Sequence, residues 1–310
     1  MAWHRRIRAG TRRRTGMTMA VYRSAPIYNV LNVNGMQTHY RREGSGRPVV
    51  LLHGGILSLH DYDASVPLLC ERYDVIALDR PGYGYSERDA GQVMTPARQS
   101  EWLHQVLTAL RVEKPIIVGH SWSGLMALAY ALNYPDEAAG IVLLAPAAYG
   151  GKAYPAGRLD ALLYRGIRSS ILGPLLLHGL LMPLARPLAA MSVKGAFAPA
   201  PVPAAYMERA YELWCRPSQI RANREDVYYF SQAAEQLSPR YPALSVPTII
   251  AVGDKEPYRP ELQSLRLHRD IPHSTLLTVR DAYHMMPVTH PEAVAEALAL
   301  LEERIDIRHY

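Results

Sequence analysis

The amino-acid sequence predicts an α/β fold: a mostly parallel, eight-stranded sheet with helices on both faces and an inserted helical segment. Three observations support this prediction. Apolar, β-branched runs alternate with helical patterns up to residue 146, the chain from 147 to 242 has a helical pattern rich in Pro and Ala, and strand periodicity resumes at 247. Such alternation is typical of a mainly parallel sheet covered by helices on both faces.

The strands follow from short apolar runs bounded by turn residues. They are predicted at 27–33, 37–42, 48–52, 73–78, 115–118, 140–144, 247–253 and 274–279. Asn34-Gly35 separates the first two strands and favours an antiparallel hairpin, because both residues tolerate a positive φ. Helices are expected at about 97–110, at 122–133 and from Pro291 onward, where apolar residues recur with a period near 3.6.

The change of pattern along the chain predicts three regions. Residues 1–24 form a disordered basic tail, residues 25–146 together with 243–310 form the α/β core, and residues 147–242 form a helical cap, or lid, over the sheet edge. The cap carries eleven Lys or Arg residues against six acidic residues.

The net charge of +6 is concentrated in the tail. Residues 1–24 contain seven Arg and no acidic residue, which leaves 27 basic against 28 acidic side chains in the rest of the chain. A nearly neutral body argues against a phosphate-binding groove, so no nucleic-acid partner is expected. The tail lacks the apolar core of a secretory signal. Whether residues 1–16 belong to the mature protein stays open, because Met17 and Met19 are alternative starts.

The two cysteines, Cys70 and Cys215, imply no disulfide framework, and a cytoplasmic location is expected. No cluster of His and carboxylate residues has the spacing of metal ligands, so neither a metal nor a cofactor is expected. The oligomeric state stays open.

Residues 115–124, Pro-Ile-Ile-Val-Gly-His-Ser-Trp-Ser-Gly, have the pattern of a nucleophile elbow. A Ser at the tip of a tight turn between strand and helix has a strained backbone and needs small residues two positions away on either side. Gly119 and Ser123 satisfy this requirement around Ser121, whereas Ser123 as nucleophile would need a small residue at Leu125. The predicted nucleophile is therefore Ser121.

A serine hydroxyl needs a base, and the base needs a carboxylate that orients it. Among twelve His residues, His284 lies in the loop after the predicted strand 274–279, whereas His290 stands at the start of the next helix. We predict His284 as the base. Two carboxylates, Asp254 and Glu256, follow the strand 247–253 and compete for the orienting role.

These motifs together resemble the α/β-hydrolase family, in particular its group of epoxide-hydrolase-like enzymes, esterases and C–C hydrolases. The resemblance rests on His53-Gly54-Gly55, on the segment from Asp79 to Ser86 (Asp-Arg-Pro-Gly-Tyr-Gly-Tyr-Ser), on the Ser121 elbow and on the His284 loop. It implies Glu256 as the acid, three residues after Gly253, with Pro260 four residues beyond. Asp254 stays the alternative.

The resemblance also implies an oxyanion hole formed by the backbone N–H groups of Gly55 and Trp122. Ser123 departs from the family pattern, which usually has Gly there, and this leaves the packing of the elbow open. Epoxide hydrolases and haloalkane dehalogenases use a carboxylate nucleophile, which Ser121 cannot replace.

The cap contains the apolar stretch Ile171–Met191, which is interrupted by Pro174, Pro183, Pro187, His178 and Arg186. We expect two short amphipathic helices rather than a transmembrane segment. They could line an acyl or aryl pocket or pack on the core, and peripheral contact with a membrane is a third alternative. The aromatic residues of the cap favour a bulky, apolar small-molecule substrate.

The sequence therefore predicts a serine hydrolase that cleaves an ester or related acyl bond through an acyl-enzyme. Two alternatives within the resemblance are a C–C bond hydrolase and a peptidase similar to proline iminopeptidases. A ligand-binding, receptor-like protein with slow or no turnover is the alternative from another class.

Overall fold

The structure is a computed structural model that describes residues 28–89, 91–154 and 156–307. The predicted basic tail, residues 1–24, lies outside the described residues. It includes residues 1–16, whose place in the mature protein stays open.

Eight strands form one sheet, as predicted. They are β1 Tyr28–Val33, β2 Met36–Gly44, β3 Arg47–Leu52, β4 Tyr73–Leu78, β5 Ile116–His120, β6 Gly140–Leu144, β7 Thr248–Gly253 and β8 Ser274–Val279. Their order in the sheet is β1-β2-β4-β3-β5-β6-β7-β8. β2 is antiparallel to β1 and β4, and all other neighbours are parallel. Asn34 and Gly35, both at positive φ, form the hairpin turn between β1 and β2.

Helices cover both faces of this sheet. The α-helices of the described residues are α1 Val66–Leu69, α2 Pro96–Ala109, α3 Ser123–Asn133, α4 Arg158–Arg168, α5 Leu172–Pro174, α6 Met182–Phe197, α7 Ala204–Leu213, α8 Pro217–Leu237, α9 Ser264–Asp270, α10 Met286–Thr289 and α11 Pro291–Ile307. α2 and α3 pack on one face, and α1 and α11 pack on the other.

The alternation of side chains along β3 shows how the core is divided. Val50 and Leu52 belong to the apolar cluster beneath α2 and α3, whereas Val49 and Leu51 belong to the cluster beneath α1 and α11. Successive residues of a strand point to opposite faces, so a strand buried on both faces must be apolar throughout. This explains why the central strands read as continuous apolar runs. Because β3, β5, β7 and β8 run in the same direction, their carboxyl ends lie at one edge of the sheet.

The insertion between β6 and β7 is helical and contains α4 to α8. Its predicted boundaries, 147 and 242, stay a prediction. Apolar side chains of α6 and α7 pack with Leu57 and Met285 of the core, which attaches the insertion to the loops at the sheet edge.

The expectation of two short helices within Ile171–Met191 is wrong. The chain is helical without interruption over Leu172–Phe197, and a π-helical turn, Leu175–Leu181, joins α5 to α6. In this turn the N–H of Met182 donates to the carbonyl of Leu177, five residues earlier. This wider turn precedes Pro183, and the helix continues through Pro183 and also through Pro187 within α6.

Candidate active site

Ser121 lies at the junction of β5 and α3, directly after the last residue of the strand. Its φ of 51° places it in the left-handed region, which is strained for any residue with a side chain. The strain is maintained by hydrogen bonds: the Ser121 N–H donates to the carbonyl of Leu144 at 2.9 Å, and the Ser121 carbonyl accepts from Gly124 and Ala147 at 2.9 Å. The hydroxyl is therefore presented at the carboxyl edge of the sheet.

The residues on either side of Ser121 have to be small. A Cβ atom at Gly119 would lie 2.6 Å from the carbonyl oxygen of Ser123, so this position admits only glycine without a backbone shift. Ser123 is fully buried, and its hydroxyl donates to the carbonyl of His53 at 2.5 Å. Ser123 is thus small enough for the elbow, and its hydroxyl holds the loop after β3 through the hydrogen bond to His53.

The structure brings His284 to Ser121. His284 follows β8 in the chain, and its Nε2 lies 2.9 Å from Ser121 Oγ. His290 precedes the first residue of α11, and its Nδ1 contacts the hydroxyl of its neighbour Thr289 at 2.9 Å. Of the two candidate bases, only His284 reaches the serine.

Glu256 occupies the other side of the His284 ring. Its Oε1 and Oε2 lie 3.0 and 3.1 Å from His284 Nδ1, and its side chain is 3% exposed, whereas Asp254 is exposed. A carboxylate there favours the tautomer with the proton on Nδ1, which leaves Nε2 to accept the proton of Ser121. The structure therefore brings together Ser121, His284 and Glu256, and not Asp254.

A second histidine, His120, supports the His284 loop. The Nε2–H group of His120 donates to the carbonyl of His284 at 2.9 Å. Burial, assisted by the nearby His284 ring, lowers the pKa of His120 to about 3. The ring is therefore neutral at pH 7, and it adds no positive charge beside His284.

The two residues whose backbone amides the family resemblance implicates are Gly55 and Trp122. Trp122 follows Ser121 in the chain, and a Cβ at Gly55 would lie 3.9 Å from Trp122 Cβ. Both residues line the same cavity as Ser121 and His284. Among the described residues, neither amide donates a hydrogen bond to another group. Backbone N–H groups that have no partner and belong to residues lining a cavity can donate to an oxygen atom that gains negative charge.

A buried arginine holds the His53-Gly54-Gly55 loop. Arg80 is fully buried: it donates to the carbonyl of Gly54 at 2.9 Å and to Asp226 of α8 at 2.8 Å, and its guanidinium lies 4.1 Å from the centre of the Trp122 ring. Sequence reasoning noted Arg80 only as part of a motif. It missed Asp226 and also Asn223, whose side-chain amide donates to the Gly55 carbonyl at 2.7 Å. No local pattern singles out these residues of α8.

The cavity above Ser121 has a volume of about 450 Å³. Apolar and aromatic side chains from the core and the insertion form most of its wall, among them Ile56, Trp214, Val227 and Tyr258. One ion pair also contributes: Arg224 donates to Asp160 at 2.8 Å. Within the residues that the structure describes, no three His, Cys, Asp or Glu side chains are grouped to hold a metal ion.

Comparison with known proteins agrees with this architecture. The family model of the alpha/beta hydrolase fold matches residues 47–291. The uncharacterized hydrolase YugF of Bacillus subtilis is 26% identical over 277 residues, which cover 88% of this chain and 95% of that protein. The 2-hydroxy-6-oxo-2,4-heptadienoate hydrolase of Pseudomonas putida is 30% identical over 124 residues, 39% of this chain and 45% of that enzyme.

Solved structures share the fold. An alpha/beta hydrolase fold protein from Burkholderia ambifaria superposes with a TM-score of 0.75 at 21% identity, covering 87% of this chain and 96% of its own. Haloalkane dehalogenase DbeA from Bradyrhizobium elkani gives a TM-score of 0.72 at 18% identity, covering 92% and 100%. Because the family model spans most of the sequence, from β3 to the first residue of α11, the chain belongs to the alpha/beta hydrolase fold family.

Proposed function

We propose that this protein is a serine hydrolase that cleaves a carboxylic ester, or a related acyl bond, of a small and largely apolar substrate. The observation that carries the proposal is that His284 lies within hydrogen-bond distance of both Ser121 Oγ, through its Nε2 atom, and the Glu256 carboxylate, through its Nδ1 atom. A serine becomes a nucleophile when a base accepts its proton and a carboxylate orients that base. The family supplies the general class, hydrolases.

In the proposed reaction, Ser121 Oγ attacks the carbonyl carbon while His284 Nε2 accepts the hydroxyl proton. The negative oxygen accepts hydrogen bonds from the N–H groups of Gly55 and Trp122. Collapse of this intermediate breaks the bond to the leaving alcohol, which takes the proton from His284. Water then attacks the acyl-enzyme, with His284 again as the base, and this step releases the acid and Ser121. Glu256 stabilises the charged form of His284 in both halves.

The cavity supports the proposed substrate class. Its apolar walls bury acyl or aryl groups favourably, because the contact removes apolar surface from water. The ring of Tyr258 packs edge-on against the His284 ring, with 4.5 Å between the ring centres, and forms part of the same wall. The Arg224–Asp160 ion pair forms a polar part of the wall, where a polar group of the substrate can be bound.

A series of p-nitrophenyl esters with acyl chains of increasing length tests the proposal. The wild-type protein should release p-nitrophenol with a burst or with steady turnover, and Ser121→Ala should abolish it. Wild-type protein without burst or turnover on the whole series would contradict the ester proposal and favour the alternative of a ligand-binding protein.

C–C bond hydrolysis is the second candidate, favoured by the similarity to the Pseudomonas putida enzyme named above, which is confined to 124 residues. Parallel assays with two substrates separate the candidates. One assay uses the p-nitrophenyl esters, and the other uses a vinylogous 1,5-diketone with a terminal carboxylate. Turnover of the diketone at a higher kcat/KM than any ester would favour the second candidate.

A further inference from the structure

One helical segment of the insertion is apolar on both sides. Over Leu172–Phe197, one stripe faces the protein interior and has residues four apart: Leu177, Leu181, Ala185, Ala189 and Val193. The other side faces solvent and carries large exposed apolar side chains: Leu172, Leu175, Leu180, Leu184 and Met191, with Ile171 just before the segment. Leu159 and Leu162 of α4, which packs against this segment, are exposed as well.

A helix on the surface of a globular protein normally has polar residues on its outer side. Among the described residues, this segment is the one helix long and apolar enough, by length and composition, to cross a membrane. Its inner stripe, however, is already packed: Leu177, Leu181 and Ala185 contact Ile167 of α4 and Ile220 of α8 in one apolar cluster. The helix is thus held along the protein surface, with only its outer side available for a partner.

The charge of this region indicates the chemistry of the partner. Between Asp160 and Glu208 the chain has no acidic residue, whereas it has Arg165, Arg168, Arg186 and Lys194. Of these four, Arg168 lies 3.8 Å from the carboxylate of Glu225 on α8. A partner with an apolar interior and negative charges at its boundary fits such a surface, since basic residues near an apolar face add electrostatic attraction to anionic lipids. The tail, with seven Arg and no acid in residues 1–24, carries the same sign of charge and does not complement this face.

We propose that the outer side of Leu172–Phe197, together with Leu159 and Leu162, is a membrane-docking face that lies in the interface of a bilayer containing anionic lipids. The helices that carry this face also contribute to the cavity: Ser192 of α6 and Asp160 of α4 both line the cavity. Docking therefore brings the cavity close to the bilayer, where apolar substrates concentrate. The docking itself does not depend on the ester chemistry proposed above.

Vesicle flotation with the full chain tests the proposal. The protein, in the Ser121→Ala form so that lipid turnover plays no part, is mixed with vesicles of phosphatidylcholine alone or of equal parts phosphatidylcholine and phosphatidylglycerol. The test variant is Leu175→Ser/Leu184→Ser, whose two leucines are 67% and 46% exposed. The matched control is Val30→Ser/Leu68→Ser, whose residues are 62% and 46% exposed on the core.

The expected result is binding to the anionic vesicles that weakens at high salt, that falls by about tenfold or more in Leu175→Ser/Leu184→Ser, and that is unchanged in the control. Absence of binding to the anionic vesicles, or equal loss in both double variants, overturns the proposal. Sedimentation velocity without lipid adds a further arm: a dimer that dissociates only in Leu175→Ser/Leu184→Ser would show that a second copy covers the face, and would overturn membrane docking. Ester turnover of the wild type, measured separately, reports on the proposed hydrolase alone.

Discussion

The side-chain amide of Asn223 donates a 2.7 Å hydrogen bond to the carbonyl of Gly55. This bond joins α8 of the insertion to the loop whose N–H group is proposed to bind the oxyanion. Arg224 donates to Asn223 Oδ1 at 2.5 Å and to Asp160 Oδ1 at 2.8 Å, so the orientation of Asn223 is itself fixed. The insertion therefore does more than cover the cavity, because it also holds the loop that contains the Gly55 amide proposed to bind the oxyanion.

Asn223→Ala should lower kcat by about tenfold with a smaller effect on KM, because the loop that contains Gly55 would lose this hydrogen bond while the apolar side chains of the cavity wall are unchanged. Removing an oxyanion donor outright costs about a hundredfold or more, and loss of its support costs less. Steady-state kinetics on the best p-nitrophenyl ester measure this effect. Asn133→Ala, at the end of α3, is the control; equal kcat values in the two variants would contradict the positioning role.

Glu256→Gln should reduce kcat by about a hundredfold or more, because a carboxamide does not stabilise the charged His284 and can favour the wrong tautomer. Asp254→Asn, two residues away and exposed, should leave kcat unchanged. The two variants are compared by steady-state kinetics at one pH. A large loss only in Asp254→Asn would reverse the assignment of the acid.

Asp61 should make the stability of the protein depend on pH. Burial raises the pKa of Asp61 to about 7, and the Oδ1 atom accepts a hydrogen bond from Tyr206 at 2.7 Å. The other oxygen, Oδ2, has no hydrogen-bond partner among the described residues. The Asp61 carboxyl group thus binds its proton more tightly in the folded protein than in the unfolded chain. Its stabilising contribution is complete below the unfolded pKa near 3.8 and is lost as the pH rises through about 7.

Asp61→Asn removes the buried charge, so its free energy of unfolding should not carry this pH dependence. The difference in free energy of unfolding, variant minus wild type, should therefore be larger at about pH 8 than at about pH 4, by about 2 to 4 kcal/mol. Urea unfolding at the two pH values measures this difference. Asp136→Asn, at an exposed position, is the control and should show no such trend. A gain that is the same at both pH values would contradict a raised pKa at Asp61.

Gly119→Ala should destabilise the fold by about 2 kcal/mol or more, because the added Cβ would lie 2.6 Å from the carbonyl oxygen of Ser123. Gly179→Ala is the matched control, since a Cβ there meets nothing within 4 Å and the residue is helical. That control should be neutral or slightly stabilising. Thermal unfolding of the two variants measures the contrast, and equal melting temperatures would show that the elbow can relax.

The sequence predicted those parts of the site that local patterns determine. Ser121 follows from strand, turn and helix signals within a few residues, and the His284 loop follows from the strand before it. The eight strands follow in the same way, because burial on both faces leaves continuous apolar runs. Family spacing, rather than local physics, favoured Glu256 over Asp254, and the structure brings the Glu256 carboxylate to the ring of His284.

Contacts between distant parts of the chain could not be predicted. Arg80 pairs with Asp226 across 146 residues of sequence, and Asn223 reaches Gly55 across 168. Both contacts depend on how the insertion packs on the core, which no local periodicity encodes. The helix also continues through Pro183 and Pro187, although a proline within an apolar run normally indicates a break.

The proposed hydrolysis depends on activation of the Ser121 hydroxyl by His284. This activation can be measured with a fluorophosphonate probe, which phosphonylates activated serines, followed by peptide mass mapping. The predicted result is modification of Ser121 in the wild type and loss of labelling in folded His284→Ala. Modification of Ser123 or of another serine, or labelling of Ser121 at the same rate in His284→Ala, would contradict the role of Ser121 as a nucleophile activated by His284.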